Sequence, residues 1–517
     1  MMQLTYLAHS SFLVRCGDTK LVFDPWLKDP AYHGQWFLWP LASQRPDQVH
    51  ADAVIITHGH EDHLHTGTLR HLGRKSTVFF PFQWRGGAKK YLHALGFEKV
   101  VEAVSFRKYQ LNEVTITYIG FSLESVVVIE YRGEVLVNIN DALNSNHETA
   151  VEFMLAEIKS RWPRIDYLLS GWSGAGYFPN QVRYPGKDDE EIGRMREQYF
   201  ANNFCRFTEA LQPRCAVPFA PGFILLAEPN KWINRIKFPR KSLPVYYSGH
   251  YRADREIRFL VPFPGDDITA RTLTRRSPLH VMSDEEQLEA AYEHYSEQEK
   301  EANRQSEVDE KLVNNLVAAL ARWANYNKRL YHPRVIEDVY FSIRLTDVTV
   351  APFINITNAG NHISVDRSAT ALPGKKLLVT TSGARLLYAL GRPWGGDIIT
   401  IGYGLQVEVY DEPSLEKNLD IVCIRLITRY PVARQDLLRN PLRALKYYGH
   451  NPALTTLWLR QKIMLKPYVN KYPYNERDHW LTYKKCDLCA VCKMPEIDLA
   501  ALAVTGNNER AGQPAFG

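Results

Sequence analysis

The first half of the chain alternates short apolar stretches with turn residues. "QLTYLA", "SFLVRC" and "KLVFD" interleave apolar and polar positions with the period of two expected of half-buried strands. Gly17-Asp18 predicts a hairpin turn between the second and the third. "DAVIIT" is nearly continuous in apolar residues, which suits a strand covered on both faces. "STVFFP", "EVTITYIG", "SVVVIEY", "EVLVNIN" and "YLLSG" follow as further strands, with Arg132-Gly133 as a second hairpin turn. Helical stretches over 147–160 and 189–211 are interspersed among them. The pattern predicts a β-rich α/β layout, a pair of sheets with helices outside.

Residues 284–330 break this pattern. They are charged and largely free of Gly and Pro, and Leu312, Leu316, Leu320 and Trp323 recur at helical spacing. We read them as packed helices linking two units. Strand patterns return in "DVYFSIRLTD", "FINITN", "KLLVTT", "DIITIGYGLQVEV" and "DIVCIRLIT", with "SGARLLYALG" as a helix ending at Gly391. The expected organisation is a first unit over 1–270, a helical linker over 271–332 and a second α/β unit over 333–430. An aromatic, basic helical segment then covers 431–485, and a Cys-containing, partly disordered tail covers 486–517.

Composition narrows the class. At 517 residues, with 45% hydrophobic and 23% charged content, the chain reads as a globular protein of more than one domain. Net charge is +6, which permits an anionic substrate without demanding one. The basic segment 431–485 lacks a nucleic-acid-binding signature and is expected to pack against the first unit, so nucleic acid is not an expected partner. Seven cysteines, four of them scattered, do not form a disulfide framework, and a reduced, cytoplasmic setting is expected. No apolar run reaches the roughly 18 residues that a membrane span needs.

The densest chemistry is THGHEDHLH, residues 57–65, directly after the strand "DAVIIT". His58 and His60 share a face because alternate residues of an extended chain do. Asp62 and His63 begin the next turn and can face the same space. Imidazole and carboxylate together suit zinc, iron or manganese. His9, at a strand end, is a candidate partner for one of these ligands, and His65 is expected outside the ligand set.

These residues, with Asp24 in "FDPWL" upstream, resemble the metallo-β-lactamase superfamily. The resemblance implies an αββα sandwich for the first unit, with an additional C-terminal α/β region. It implies that His58 and His60 serve one metal and Asp62 and His63 a second, with Asp141 in "VLVNIND" bridging both. Asp62 and Asp141 are then the expected catalytic carboxylates. "MQLTYLAHSSFLVRCGDTKLVFDPWL", "VVVIEYRGEVLVNIND", "SGWSGAGYFP" and "LQPRCAVPFAPGF" look like stretches of CMP-N-acetylneuraminate hydroxylases. That family joins a Rieske domain to a metallo-β-lactamase-like domain and inserts oxygen into a nucleotide-linked sugar. Similarity to it implies an iron-dependent oxygenase.

Two features depart from these families. No paired C-x-H and C-x-x-H motifs of a Rieske domain occur. The later metal histidines are also missing, before "SVVVIEY" and after "CAVPF", and Glu228 or His250 are possible substitutes. Cys486, Cys489 and Cys492 form C-x2-C-x2-C, which suits an iron–sulfur cluster completed by Cys423, or zinc completed by His479. Gly174 and Gly176 permit close approach of a ligand, and Arg183 can meet an anionic group. The expected protein is a hydroxylase that uses iron, or else zinc, on an anionic small molecule, with electrons from an external electron-transfer protein. The alternatives are a metal-dependent hydrolase of a lactone or phosphoester, and a non-catalytic scaffold.

Overall fold

Two sheets form the first unit of this computed structural model. The structure describes residues 1–450 except 84–86, 122–123, 145–147, 175–180, 184–187, 253–255, 305, 330, 332, 393–394, 411–418 and 429–440. Beyond these it describes 452, 453, 455, 456 and 459. The first sheet has eight strands and includes Met2–Ala8, Ser11–Cys16, Thr19–Phe23, Ala53–Ile55 and Thr77–Pro81. The second has seven and includes Val114–Phe121, Glu124–Tyr131, Glu134–Asn140, Tyr167–Ser170 and Cys215–Pro218.

Period-two alternation decides what each face meets. Leu4, Phe12, Leu21 and Ile55 of one sheet pack against Ile116, Val127, Ile129 and Leu136 of the other. Their neighbours Val22, Val54, Ile56 and Val78 face outwards, under Trp26, Leu69, Leu72 and Leu92. On the far side Val126, Val128, Val137 and Ile139 are covered by Val151, Met154 and Ile158 of the helix Glu148–Arg161. The helix Asp189–Leu211 adds Phe207 and Leu211 to the same layer. Each such side chain contributes about 1.5–3 kcal/mol on burial. The result is the expected αββα sandwich.

The site is positioned by strand direction. Thr19–Phe23, Ala53–Ile55 and Thr77–Pro81 run parallel, as do Glu134–Asn140, Tyr167–Ser170 and Cys215–Pro218. In such sheets the space beyond the carboxyl ends of the strands is open to ligands. Asp24, THGHEDHLH and Asp141 all follow such ends. Tyr118 ties the sheets together beneath them, its hydroxyl 3.2 Å from the Ile56 carbonyl and 3.1 Å from that of Phe79.

The second unit holds a six-stranded sheet with Tyr340–Leu345, Phe353–Asn358, Ile363–Ser368, Leu377–Thr381 and Leu405–Val409. Its edge strand is Val182–Arg183, lent by a loop of the first unit and parallel to Leu405–Val409. Two of its expected strands fold otherwise: "DIVCIRLIT" forms the helix Leu419–Ile427, and in "DIITIGYGLQVEV" only Leu405–Val409 is strand, after the helix Gly395–Ile399. The segment expected as a linker over 271–332 is divided between the two units. Thr272–Thr274 pairs with the first sheet, while the helix Glu310–Lys328 buries Val313, Leu316, Leu320 and Ala324 in the core of the second. That helix carries a full apolar stripe, so it serves as a core element. In the basic segment the helix Pro441–Gly449 docks on the first unit. Arg443 donates to the Gln83 carbonyl at 2.7 Å, pairs with Glu102 and lies 4.4 Å over the Phe82 ring. No helix among the described residues is long and apolar enough to cross a membrane.

Candidate metal centre

Thr57–His65 leaves the strand Ala53–Ile55 and turns sharply, with the His63 and Leu64 amides both donating to the His60 carbonyl. This turn gathers the motif with Asp141. His58 Nε2 lies 2.8 Å from His60 Nδ1 and 3.7 Å from Asp141 Oδ2. His63 Nε2 lies 3.1 Å from Asp62 Oδ2 and 3.2 Å from Asp141 Oδ2. Two adjoining groups result, His58–His60–Asp141 and His9–Asp62–His63, each with its donor atoms within 4.8 Å of one another.

Separations near 3 Å between donor atoms match the edges of a coordination shell whose metal–ligand bonds are about 2.0–2.2 Å. His63 Nε2 is buried and makes no hydrogen bond, although two carboxylates flank it. A buried nitrogen aimed between two anions without a hydrogen bond to either is what a bound cation would satisfy. The residues present therefore fit a metal.

Charge in the cluster supports the same assignment. Burial, then the neighbouring His63 and His60, hold His58 well below the usual histidine range, so it is a neutral imidazole with a lone pair to offer a metal. Burial acts to lower His63, but Asp62, Asp141 and Asp24 outweigh it and hold the ring well above that range. Burial acts to raise Asp62, but His63 and His9 keep it well below the usual carboxylate range. A metal would take the place of the His63 proton.

Buried groups orient these candidate ligands. Asp24 Oδ2 stands 3.2 Å from His63 Nδ1, and its carboxylate also accepts from the Thr57 amide at 2.8 Å, the Thr57 hydroxyl at 2.7 Å and the Asn140 amide. This is a carboxylate–histidine arrangement of the kind that fixes a ligand's tautomer. His9 is resolved the same way. Its Nδ1 accepts from the Gly222 amide at 3.0 Å, so the neutral ring carries its proton on Nε2 and donates it to Asp62 Oδ2 at 3.0 Å. His9 therefore holds Asp62, and its ring has no lone pair left for a metal. Tyr32 donates to the other oxygen of Asp62 at 2.5 Å.

His9, Asp24, Tyr32 and Asn140 all adopt positive φ, between 34° and 53°. Non-glycine residues rarely do so, and such strain gathers at functional sites. His65 stands apart from the cluster. Its Nδ1 accepts from the Thr68 amide at 3.1 Å as the cap of the helix Thr66–Leu69.

The two substitutes considered for the missing histidines do not join the cluster. Glu228 is exposed and pairs with Lys231, and His250 Nδ1 bonds the Tyr246 carbonyl at 2.9 Å. Glu124 is the group the sequence reading missed. It opens the strand Glu124–Tyr131, at the point where a histidine was sought, and Asp141, His63 and Asp62 all act on its charge. Burial first, then Asp141, pushes its carboxyl up to about 8.

Two of the expected substrate-binding residues have partners within the protein. Arg183 lies in the edge strand of the second unit's sheet and pairs with Asp189 at 3.3 Å. Gly174 faces the Phe200 ring, where a Cβ would fall 2.2 Å from Cε2, so a neighbouring side chain fills the space expected for a ligand. Cys423 packs in the apolar core of the second unit, where burial pushes its thiol far up. Gly176, His479, Cys486, Cys489 and Cys492 lie outside the described residues.

Fold and site together define a metallo-β-lactamase-fold protein with a candidate metal centre, and residues 3–149 match the beta-lactamase superfamily domain. The more particular likeness is to cytidine monophosphate-N-acetylneuraminic acid hydroxylases. That of Danio rerio is 26% identical over 250 residues, 44% of this chain and 39% of the relative. The Homo sapiens relative, named inactive, is 26% identical over 286 residues, 51% of this chain and 53% of its own length. The chain thus spans about half or less of these relatives. Among solved structures, CmlA, a diiron beta-hydroxylase from Streptomyces venezuelae, is 17% identical with a TM-score of 0.32 over 50% of this chain and 53% of its own. A possible metal-dependent hydrolase from Veillonella parvula is 16% identical with a TM-score of 0.37 over 52% of this chain and 99% of its own.

Proposed function

We propose that this protein is an iron-dependent oxygenase acting on an anionic small molecule such as a nucleotide-linked sugar. The observation that carries the reading is the donor set. Asp62 and Asp141 stand among His58, His60 and His63, with Glu124 near enough for their charges to act on it, and this balance of carboxylate with imidazole favours iron over a histidine-rich zinc site. The hydroxylase relatives support the same reaction class.

In this reading His58, His60 and Asp141 would hold one ion, and Asp62, His63 and Asp141 a second. Glu124 is the further carboxylate available to the pair. When bound, the iron supplies activation of dioxygen for insertion into the substrate. The chain's own residues do the positioning. Asp24 fixes His63, His9 and Tyr32 fix Asp62, and Asp141, 37% exposed, marks the side open to substrate. Electrons come from an external electron-transfer protein or from a cluster at Cys486, Cys489 and Cys492. Protein purified without oxygen tests the reading through its metal content and oxygen uptake. Close to two irons per chain with reductant-dependent oxygen consumption is expected. Two zincs with esterase activity would replace the proposal by hydrolysis, and a site that takes no metal would reduce the protein to a scaffold.

A further inference from the structure

Tyr32, whose hydroxyl holds Asp62, begins a run of three left-handed residues with φ of 51°, 58° and 82° at Tyr32, His33 and Gly34. The run turns the His33 ring outwards, against the second unit. His33 stacks on Tyr388 with centroids 3.8 Å apart and planes 14° apart. The Arg392 guanidinium lies 3.6 Å from the same centroid, so the two groups cover opposite faces of the tyrosine ring. Arg385, one helical turn before Tyr388, completes the group. Its stem and the Gln35 amide flank Gly404, where a Cβ would fall 3.1 Å from Arg385 Cδ and 2.9 Å from Gln35 Oε1.

Three features of this seam call for an anion. His33 and Arg392 are exposed and Arg385 is half-buried, so a ligand can reach them. Among the described residues neither arginine forms an ion pair, and the carboxylate acting on Arg385, Asp347, is already engaged with the Ser382 hydroxyl and the Gly383 and Ala384 amides. Burial and then both arginines push His33 below the usual histidine range. The seam is also locked in place. Gln35 Nε2 donates to the Tyr32 carbonyl at 2.8 Å and to the Ile398 carbonyl at 2.7 Å, joining the metal-site loop to the second unit.

We propose that His33, Arg385 and Arg392 form a subsite for the phosphate or carboxylate group of the substrate, at the seam between the two units. The inference rests on the oxygenase reading only for the word substrate, since the subsite binds an anion whatever the metal does. Guanidinium groups bind either anion through paired N–H donors, which makes Arg385 and Arg392 the main contacts.

Titration calorimetry on the full-length, metal-loaded protein tests this with inorganic phosphate, a nucleoside monophosphate and glucuronate as probes. Wild-type protein and the variants Arg385→Gln, Arg392→Gln and Arg132→Gln are compared at low salt. Arg132 pairs with Glu113 on a distant hairpin and controls for loss of charge alone. The expected result is at least tenfold weaker binding for Arg385→Gln and Arg392→Gln, unchanged binding for Arg132→Gln, and unchanged melting and metal content in all three. Selective loss of the phosphate probes would assign a phosphate subsite, and selective loss of glucuronate a carboxylate subsite. Equal affinity across all four proteins, as for phosphate held by the metals alone, would overturn the proposal, as would a wild type that binds none of the probes. Neither measurement depends on oxygen chemistry, so a failed oxygenase assay leaves this result standing.

Discussion

Replacing Asp24 by Asn tests how far a buried carboxylate controls the metal centre without touching the metal. The substitution keeps the shape and removes one acceptor. Asp24 Oδ1 accepts from the Thr57 amide, while Oδ2 faces the Thr57 hydroxyl, the Asn140 amide and His63 Nδ1. An asparagine NH2 at Oδ1 confronts the Thr57 N–H and leaves two donors unpaired. At Oδ2 it confronts Asn140 and His63 and again leaves two. Each unpaired buried donor costs about 1–3 kcal/mol, so the variant should lose roughly 2–6 kcal/mol of stability. Losing the partner of a ligating histidine also costs about 10–100-fold in metal affinity. Differential scanning calorimetry and competition against a calibrated chelator measure the two effects. A variant with wild-type melting temperature and wild-type metal affinity would refute the claim that Asp24 orients His63.

Glu124→Gln should lower iron occupancy while leaving the metal-free protein's melting unchanged, because burial already keeps the carboxyl protonated near neutral pH without metal; iron analysis paired with melting of the chelated protein checks this. Gly174→Ala should destabilise by about 1–3 kcal/mol, since its Cβ would fall 2.2 Å from the Phe200 ring, and restored stability in a Gly174→Ala, Phe200→Leu double variant identifies the clash as the cause. Cys423→Ser should cost about 1–3 kcal/mol by placing a hydroxyl in an apolar core, yet leave iron content untouched, as elemental analysis will show.

The local pattern carried most of the architecture. Period-two alternation in "SVVVIEY" and "EVLVNIN" placed Val127 and Ile129 on the inter-sheet face and Val126 and Val128 under the helices, because side-chain direction in a strand depends only on position along it. The motif likewise carried its own chemistry, since His58, His60, Asp62 and His63 lie within one turn of chain. Other decisions needed the folded molecule. Gly222 sets the tautomer of His9 from 213 positions away, and Asn140 reaches Asp24 from 116 positions away. Glu124 becomes a candidate ligand only because its strand delivers it beside Asp141 and His63. Gly174 reads as a ligand-binding glycine until Phe200 is seen to fill its space, and the edge strand Val182–Arg183 belongs to a sheet whose other strands begin beyond residue 339. The sequence determined most of the strands and the candidate ligands of the motif, because those depend on near neighbours, while the apolar run "DIVCIRLIT" reads equally as strand or helix until its packing makes it the helix Leu419–Ile427. The tertiary structure decided which side chains meet across the strand ends, because such contacts depend on how distant segments are brought together.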